Sequence, residues 1–451
     1  MTAPFRYKPE PLVVALCEAS ARGNINHISS LISSGANVNG RDESGKTPIV
    51  RAIEGKQIDA VRELLDHGAS REACDTAKKL PPLFWAAEGG DLEIAALLLQ
   101  RGCDPREKTM FSSSYFADTV SKGNVEMVQL LLNYGADVNA TDSVGRGLIF
   151  HAYSKGSMEM VKLLQSRGAN VNARDISGSP IVVLALQDGR IDMLKFLLDH
   201  GADVNSHTIT GSPLLIEALQ KGRLDVIKML LDKGANPNVS DITGNPIILV
   251  VIKSSKFNVQ EKTELARLLL SRGANPNVSD SWTWSAMSYI IDKGHTELIP
   301  LFIESGADPN QTIATGDTLL LYAIETRQTD LVAQLLRHGA NPNAVDKKSR
   351  TPLMQALRKR DTGAARLLVQ HGADPNKEGM VSPLAFARAL GDDDIAAFLC
   401  THGATPEADD NIIATRPVVP NTQATGQPRR SARSSHPTVE QPPDYDAVLK
   451  Q

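Results

Sequence analysis

The chain has 451 residues, of which 41% are hydrophobic and only 4% aromatic, and its formal net charge at pH 7 is −4. That length allows several domains or one long array of repeats, with a core built mainly from aliphatic side chains. The small net charge excludes a general electrostatic attraction to nucleic acid or to an anionic membrane.

The N-terminal segment predicts an intracellular protein. Residues 1–9 carry charges and prolines and contain no apolar signal-peptide segment. No stretch of the chain approaches 18 consecutive apolar residues, so no transmembrane helix is expected. The four cysteines lie far apart in the sequence, which fits a reducing compartment and argues against a disulfide framework or a cysteine zinc site. We therefore expect an N-terminal extension over residues 1–9 and a cytoplasmic or nuclear location.

From residue 10 onward, a Gly-Ala-Asn/Asp-Val/Pro-Asn pattern recurs, in most cases at a step of 33 residues. Such a fixed period is typical of a protein built from stacked repeats. Twelve copies predict twelve repeats over residues 10–406. The pattern begins at Gly35, with clear copies at Gly135, Gly168, Gly201, Gly234, Gly273, Gly306, Gly339 and Gly372 and weaker copies at Gly68, Gly102 and Gly403.

Each repeat predicts two helices joined by turns. The segment Val226–Leu231 has the spacing of a helix with one apolar face, and Gly234 follows where a left-handed residue would end that helix. A second tight turn is predicted at Asp241–Gly244, in an Asp-x-x-Gly pattern. A shorter apolar helix comes next and is often opened by proline, as at Pro352.

These motifs resemble the ankyrin repeat, with the best local matches over residues 42–68 and 346–376. The resemblance implies an all-α solenoid of helix-turn-helix repeats, with a hairpin-like finger projecting from each one. A single repeat cannot bury its own apolar face, so neighbouring repeats must stack. The step before Gly273 is 39 residues, and we expect the six extra residues, around Lys253–Lys262, to form a protruding loop.

Several motifs imitate catalytic or modification sites. Residues 40–47 match the spelling of a phosphate-binding P-loop. However, two acidic residues precede its second glycine and Pro48 follows at once, so we interpret it as a repeat turn. Four Asn-x-Ser/Thr sequons share one repeat position, and we expect no glycosylation without a secretion signal. The chain is therefore expected to be no enzyme and to use no metal, cofactor or small-molecule substrate.

Ankyrin proteins generally bind other proteins through finger tips and the inner helix face, so the resemblance implies a site there. Apolar residues that turn formation does not require occupy these positions: Phe111, Val144, Ile176, Ile209, Ile242, Trp282 and Trp284. One hypothesis is an exposed apolar stripe along the fingers, with the two tryptophans as an anchor. The alternative is that neighbouring fingers pack together and cover these side chains.

Residues 407–451 are rich in Pro, Ser, Thr and Gln, which predicts a disordered tail. Within it, Pro442-Pro443-Asp444-Tyr445 resembles the Pro-Pro-x-Tyr ligand of WW domains. The first hypothesis for the whole chain is a non-catalytic scaffold that binds partner proteins. The alternative is an adaptor of a ubiquitin ligase, or of another regulatory enzyme complex, recruited by a WW-domain protein through this motif.

Overall fold

A computed structural model describes residues 9–72, 80–106, 115–313, 316–346, 348–377 and 381–405. Within these ranges the regular structure is helical and forms twelve consecutive helix pairs, which confirms the predicted all-α repeat architecture. The chain divides into a first unit, residues 1–214, and a second unit, residues 215–451. The division falls directly after Leu214, the first residue of the thirteenth helix, so the rest of that helix belongs to the second unit.

The first unit contains six helix pairs. They are α1 (Pro11–Arg22), α2 (Ile25–Ser33), α3 (Pro48–Glu54), α4 (Ile58–Asp66), α5 (Pro82–Gly89), α6 (Leu92–Gln100), α7 (Tyr115–Lys122), α8 (Val125–Asn133), α9 (Leu148–Ser154), α10 (Met158–Ser166), α11 (Ile181–Gln187) and α12 (Ile191–Asp199). The first helix of a pair packs on the first helix of the next pair, and second helices likewise pack on second helices. The result is two helical layers within the unit.

The second unit repeats this arrangement. Its helices are α13 (Leu214–Gln220), α14 (Leu224–Asp232), α15 (Ile247–Lys253), α16 (Val259–Ser271), α17 (Ala286–Asp292), α18 (Ile299–Glu304), α19 (Leu319–Glu325), α20 (Thr329–Arg337), α21 (Pro352–Arg358), α22 (Thr362–Gln370), α23 (Pro383–Ala389) and α24 (Asp393–Thr401). A short 3-10 turn over Thr296–Leu298 precedes α18.

Local sequence signals explain where these helices begin and end. In α21, the hydroxyl of Thr351 accepts a hydrogen bond from the backbone N–H of Met354, and Pro352 occupies the first helical position. At the end of α14, Gly234 has φ +86, a left-handed conformation that glycine adopts without steric cost. Helix formation is thus fixed locally, while stacking buries the apolar faces.

One asparagine in most repeats bridges that repeat to the next. Asn277 donates from Nδ2 to the carbonyl oxygen of Gly306 at 3.0 Å and accepts at Oδ1 from the backbone N–H of Asp308 at 2.8 Å. Asn139 makes the same pair of bonds in the first unit, to Gly168 at 3.3 Å and from the next repeat at 2.9 Å. The recurring asparagine of the sequence pattern is therefore a structural link between repeats.

The expected protruding loop near Lys253–Lys262 is absent from the structure. Helix α16 has thirteen residues where α14 has nine, so four of the six extra residues lengthen a helix. The other two lengthen the linker after α15, in which Ser254 and Phe257 are buried. A capping box starts the longer helix: the Asn258 side chain accepts from the backbone N–H of Glu261, and the Glu261 carboxylate accepts from the backbone N–H of Asn258. The prediction was wrong because this capping signal lies inside the insertion and turns most of it into helix.

Candidate functional site

The fingers are short hairpins between the second helix of one repeat and the first helix of the next. Isolated antiparallel bridges close six of them: Thr141 with Gly147, Arg174 with Pro180, His207 with Pro213, Ser240 with Pro246, Ser279 with Ser285, and Thr312 with Thr318. Each bridge holds a tight turn that projects from the helical layers. The fingers thereby place a few side chains away from the core.

A buried or half-buried aspartate builds the turn of most fingers. In the finger that begins at Asp142, Oδ1 accepts the backbone N–H groups of Val144 at 3.0 Å and Arg146 at 2.9 Å. Burial opposes ionisation of Asp142, but hydrogen bonds from Arg146 and Val144 and the charge of Arg146 outweigh it, so the pKa of Asp142 lies below its ordinary value. The same pair of backbone bonds is made by Asp42, Asp175, Asp241, Asp280 and Asp346.

The side chain of this aspartate, or of Thr208 in the finger that carries Ile209, accepts the backbone N–H groups of the turn, so the residues that follow it point outward. In the first unit, Val144 is 55% exposed, Ile176 71% and Ile209 65%. In the second unit, Ile242 at the equivalent position is 61% exposed. Packing between neighbouring fingers therefore does not cover these side chains. Val345, which precedes Asp346, is also exposed and was missed by the sequence reasoning.

The finger at Asp280 carries the two tryptophans, and the structure treats them differently. Trp282 is 57% exposed. Trp284 is half-buried, with its ring 5.3 Å from that of Tyr289 in α17. Between them, Thr283 has φ +65, at a place where most other fingers have glycine and the finger at Asp346 has Ser349. A left-handed conformation is costly for a β-branched residue, so this turn is held in a strained shape.

Charged and aromatic groups fix the base of this finger. The hydroxyl of Tyr289 donates to Oδ2 of Asp280 at 2.5 Å. Nζ of Lys253, in α15, lies 3.5 Å from the same oxygen and 4.5 Å from the centre of the Tyr289 ring. Burial, then the hydrogen bond to Asp280, raises the pKa of Tyr289, and burial lowers the pKa of Lys253. The raised pKa keeps the Tyr289 hydroxyl protonated at neutral pH, so that it donates to Asp280 while its ring contacts Trp284.

A second polar cluster lies in the first unit and was not foreseen from the sequence. Oγ of Ser121 is 2.8 Å from Nδ1 of His151, and Nε2 of His151 is 3.1 Å from Oδ2 of Asp142. Burial lowers the pKa of His151 even though the charge of Asp142 raises it. The order of groups is that of a hydrolase triad. However, Ser121 lies in the last turn of α7, where the backbone N–H groups donate within the helix and do not form an oxyanion hole. Asp142 already accepts the hydrogen bonds of its finger turn. We therefore do not interpret this cluster as a catalytic triad.

The P-loop-like segment is likewise a finger turn. Oδ1 of Asp42 accepts the N–H groups of Ser44 and Lys46, at 2.9 and 3.0 Å, and Nε of Arg51 donates to Oδ2 at 2.6 Å. The backbone N–H groups that would bind a phosphate in a P-loop therefore already donate to the carboxylate of Asp42. Among the described residues, no group of His, Cys, Asp and Glu could hold a metal ion.

Phe111 and the tail residues Pro442, Pro443 and Tyr445 lie outside the described residues. Of the helices in the described part of the chain, none is long and apolar enough to cross a membrane.

Comparisons with known proteins agree with the repeat architecture. A family model described as ankyrin repeats (three copies) matches most of the chain, over residues 16–109, 116–175, 148–241, 255–346 and 328–410. A stretch of 105 residues is 32% identical to the palmitoyltransferase Hip14 of Drosophila melanogaster. The match covers 23% of this chain and 16% of the length of that relative.

Proposed function

The chain belongs to the ankyrin-repeat family, and from this premise we propose that it is a non-catalytic scaffold that binds partner proteins. The partners contact the finger turns and the adjoining face of the first helices. One observation carries this proposal: six of the ten large hydrophobic side chains exposed in the described part of the chain belong to fingers. These six are Val144, Ile176, Ile209, Ile242, Trp282 and Val345.

The physical argument concerns apolar side chains that the fold leaves mostly exposed. Burying an Ile or a comparable side chain in an interface stabilises a complex by about 1.5–3 kcal/mol. Ile176 and Ile209 occupy the same position of neighbouring fingers in the first unit, where both remain exposed. In their turns, backbone N–H groups already donate to the side chains of Asp175 and Thr208, without help from either isoleucine. Such side chains are available to a partner without any cost to the fold.

In the second unit, Trp282 is the strongest candidate for an energetic anchor. Tryptophan is enriched among the few residues that carry most of the binding energy in protein interfaces. The backbone N–H of Trp282 is held by Asp280 at 2.9 Å, so its position is fixed before a partner arrives. A preorganised anchor loses less conformational entropy on binding than a flexible one.

Proximity labelling in cells tests this function. The variants are Ile176→Ser with Ile209→Ser for the first unit and Trp282→Ala for the second. Tyr134→Ala is a matched control, because Tyr134 is an exposed aromatic residue outside the fingers. We expect proteins labelled by the wild type to be lost in one or both finger variants and kept in the control. A labelling pattern unchanged in both finger variants contradicts the proposal.

A second candidate function rests on the tail sequence. Pro442-Pro443-Asp444-Tyr445 would recruit a WW-domain protein, such as a ubiquitin ligase, to a client held by the repeats. Capture of WW domains by a peptide of residues 436–451 tests it. Equal capture by the same peptide with Tyr445→Ala would exclude this role.

A further inference from the structure

The chain leaves the described structure at the same edge of the second unit as the Trp282 finger. Asparagine bridges join consecutive repeats along this edge, from Asn277 through Asn310 and Asn343 to Asn376. The last of them accepts the backbone N–H of Thr405 at 2.8 Å. Since Asn277 stands five residues before Trp282, the finger and Thr405, the last described residue, lie at one edge.

The Trp282 finger carries two aromatic side chains on a turn in which the backbone N–H groups of Trp282 and Trp284 both donate to Asp280. The ring of Trp284 packs against that of Tyr289, whereas the side chain of Trp282, two residues earlier, is mostly exposed to solvent. An exposed indole beside one that packs on Tyr289 offers flat apolar surface, which suits a ligand that is itself stiff and apolar. Proline-rich segments in the polyproline II conformation are such ligands, because little conformational entropy is lost when they bind.

We propose that residues 442–445 of this same chain, Pro-Pro-Asp-Tyr, dock on the Trp282 finger. The intervening residues 406–441 number 36, enough to span about 120 Å when extended. The finger stands four asparagine bridges away from Thr405. At roughly 10 Å per repeat, this separation is about 40 Å. The motif therefore reaches the finger with ample chain to spare.

Docking within one chain needs only weak intrinsic affinity. A linked ligand has an effective concentration in the mM range, so a dissociation constant of about 0.1 mM keeps the motif bound for about nine-tenths of the time. The inference rests on the proposed function, because it makes the finger a binding site and names one occupant. Its consequence is competition: the docked motif covers Trp282, and a partner protein of the repeats must displace it.

The full-length chain with Trp85→Phe tests this, because its remaining tryptophans are Trp282 and Trp284. Acrylamide quenching of their fluorescence is measured in this protein and after Pro442→Ala, Pro443→Ala and Tyr445→Ala together. We expect the quenching constant to rise about twofold, since a motif bound for most of the time shields Trp282. Pro417→Ala with Pro420→Ala, elsewhere in the tail, is the matched control and should leave quenching unchanged.

Two other outcomes would overturn the inference. One is equal quenching with and without the motif. The other is shielding that disappears on dilution, because it would show contact between two copies rather than within one chain. Circular dichroism checks that all variants keep their helix content. If Trp282→Ala removes labelled partners but the quenching constant does not depend on the motif, the proposed function stands and the docking fails. If the quenching constant depends on the motif but Trp282→Ala keeps all labelled partners, the docking stands and the proposed function fails at this finger.

Discussion

Tyr289 donates a 2.5 Å hydrogen bond to a carboxylate oxygen of Asp280, nine residues earlier in the chain. The other oxygen of Asp280 holds the backbone of the Trp282 finger. One buried aspartate thus connects the shape of the finger to helix α17. The same nine-residue spacing joins Asp42 to Arg51 and Asp142 to His151.

Removing the Tyr289 hydroxyl should therefore destabilise the second unit. We expect Tyr289→Phe to lower the free energy of unfolding by about 1.5–3 kcal/mol, because it removes a hydrogen bond to a buried charged group. Urea unfolding measures the change. Tyr134→Phe is the control, with an expected effect within about 0.5 kcal/mol because its side chain is exposed. Equal stability of the two variants would show that Asp280 does not depend on Tyr289.

The asparagine bridges predict that two substitutions of Asn310 lower the free energy of unfolding by different amounts. Its Nδ2 donates to the carbonyl of Gly339 at 3.1 Å, and its Oδ1 accepts from the backbone N–H of Asn341 at 2.8 Å. Asn310→Ala removes both bonds and should cost about 1–2 kcal/mol of unfolding free energy. Asn310→Asp keeps only the acceptor and should lie between the alanine variant and the wild type. An aspartate variant as unstable as the alanine variant would contradict this division.

The repeat architecture was predictable because its signals are local. The apolar spacing of α14 and the glycine that follows it act within a few residues, and their recurrence fixed the number of repeats. The insertion was misjudged because its length alone does not say whether the residues extend a loop or a helix. Only the capping bonds between Asn258 and Glu261 decide that.

The candidate site was predictable only in part, for a different reason. The exposure of Ile176 follows from a turn that Asp175 completes without it. The half-burial of Trp284 depends on Tyr289 in α17, which is itself fixed by Lys253 from the preceding repeat. Such contacts join residues far apart in the sequence, so turn position alone could not separate Trp284 from Trp282.

This difference between the tryptophans predicts unequal effects on stability. Trp282→Ala should change the free energy of unfolding by no more than about 0.5 kcal/mol, as at other exposed positions. Trp284→Ala should cost about 1–3 kcal/mol, because it removes a half-buried ring from its contact with Tyr289. Thermal and urea unfolding of the single variants measure both values. A large loss for Trp282→Ala would identify it as a core residue and remove it from the binding surface.

The conformation of Thr283 predicts a stabilising substitution. Its φ of +65 is disfavoured for a β-branched side chain, whereas Gly244 has φ +84 at the equivalent place of another finger. We expect Thr283→Gly to raise the free energy of unfolding by about 1 kcal/mol, the strain relieved exceeding the added flexibility of the unfolded chain. Gly244→Thr, the reciprocal control, should destabilise. A lower melting temperature for Thr283→Gly would show that the strain is compensated within the finger.

The lengthened helix α16 predicts a pH dependence through His295. Lys262, buried in that helix, donates from Nζ to Nε2 of His295 at 3.0 Å and to the carbonyl of Ile252 at 3.0 Å. Nδ1 of His295 lies 3.9 Å from Oε1 of Glu297, whose charge favours protonation, while the charge of Lys293 opposes it. Burial, followed by the charge of Lys262, lowers the pKa of His295 below its ordinary value of 6.5.

The unfolded chain therefore binds a proton at His295 more readily than the folded chain does. The stability that neutral His295 contributes is present above about pH 6.5 and is lost as the pH falls through that value toward the lowered pKa. Urea unfolding between pH 7.5 and pH 5.5 should show this loss in the wild type. In His295→Gln, which keeps an acceptor for Lys262 but has no titrating ring, the loss should be smaller. His151, whose pKa burial also lowers, is present in both proteins, so their difference isolates His295. Identical pH profiles would mean that folding does not lower the pKa of His295.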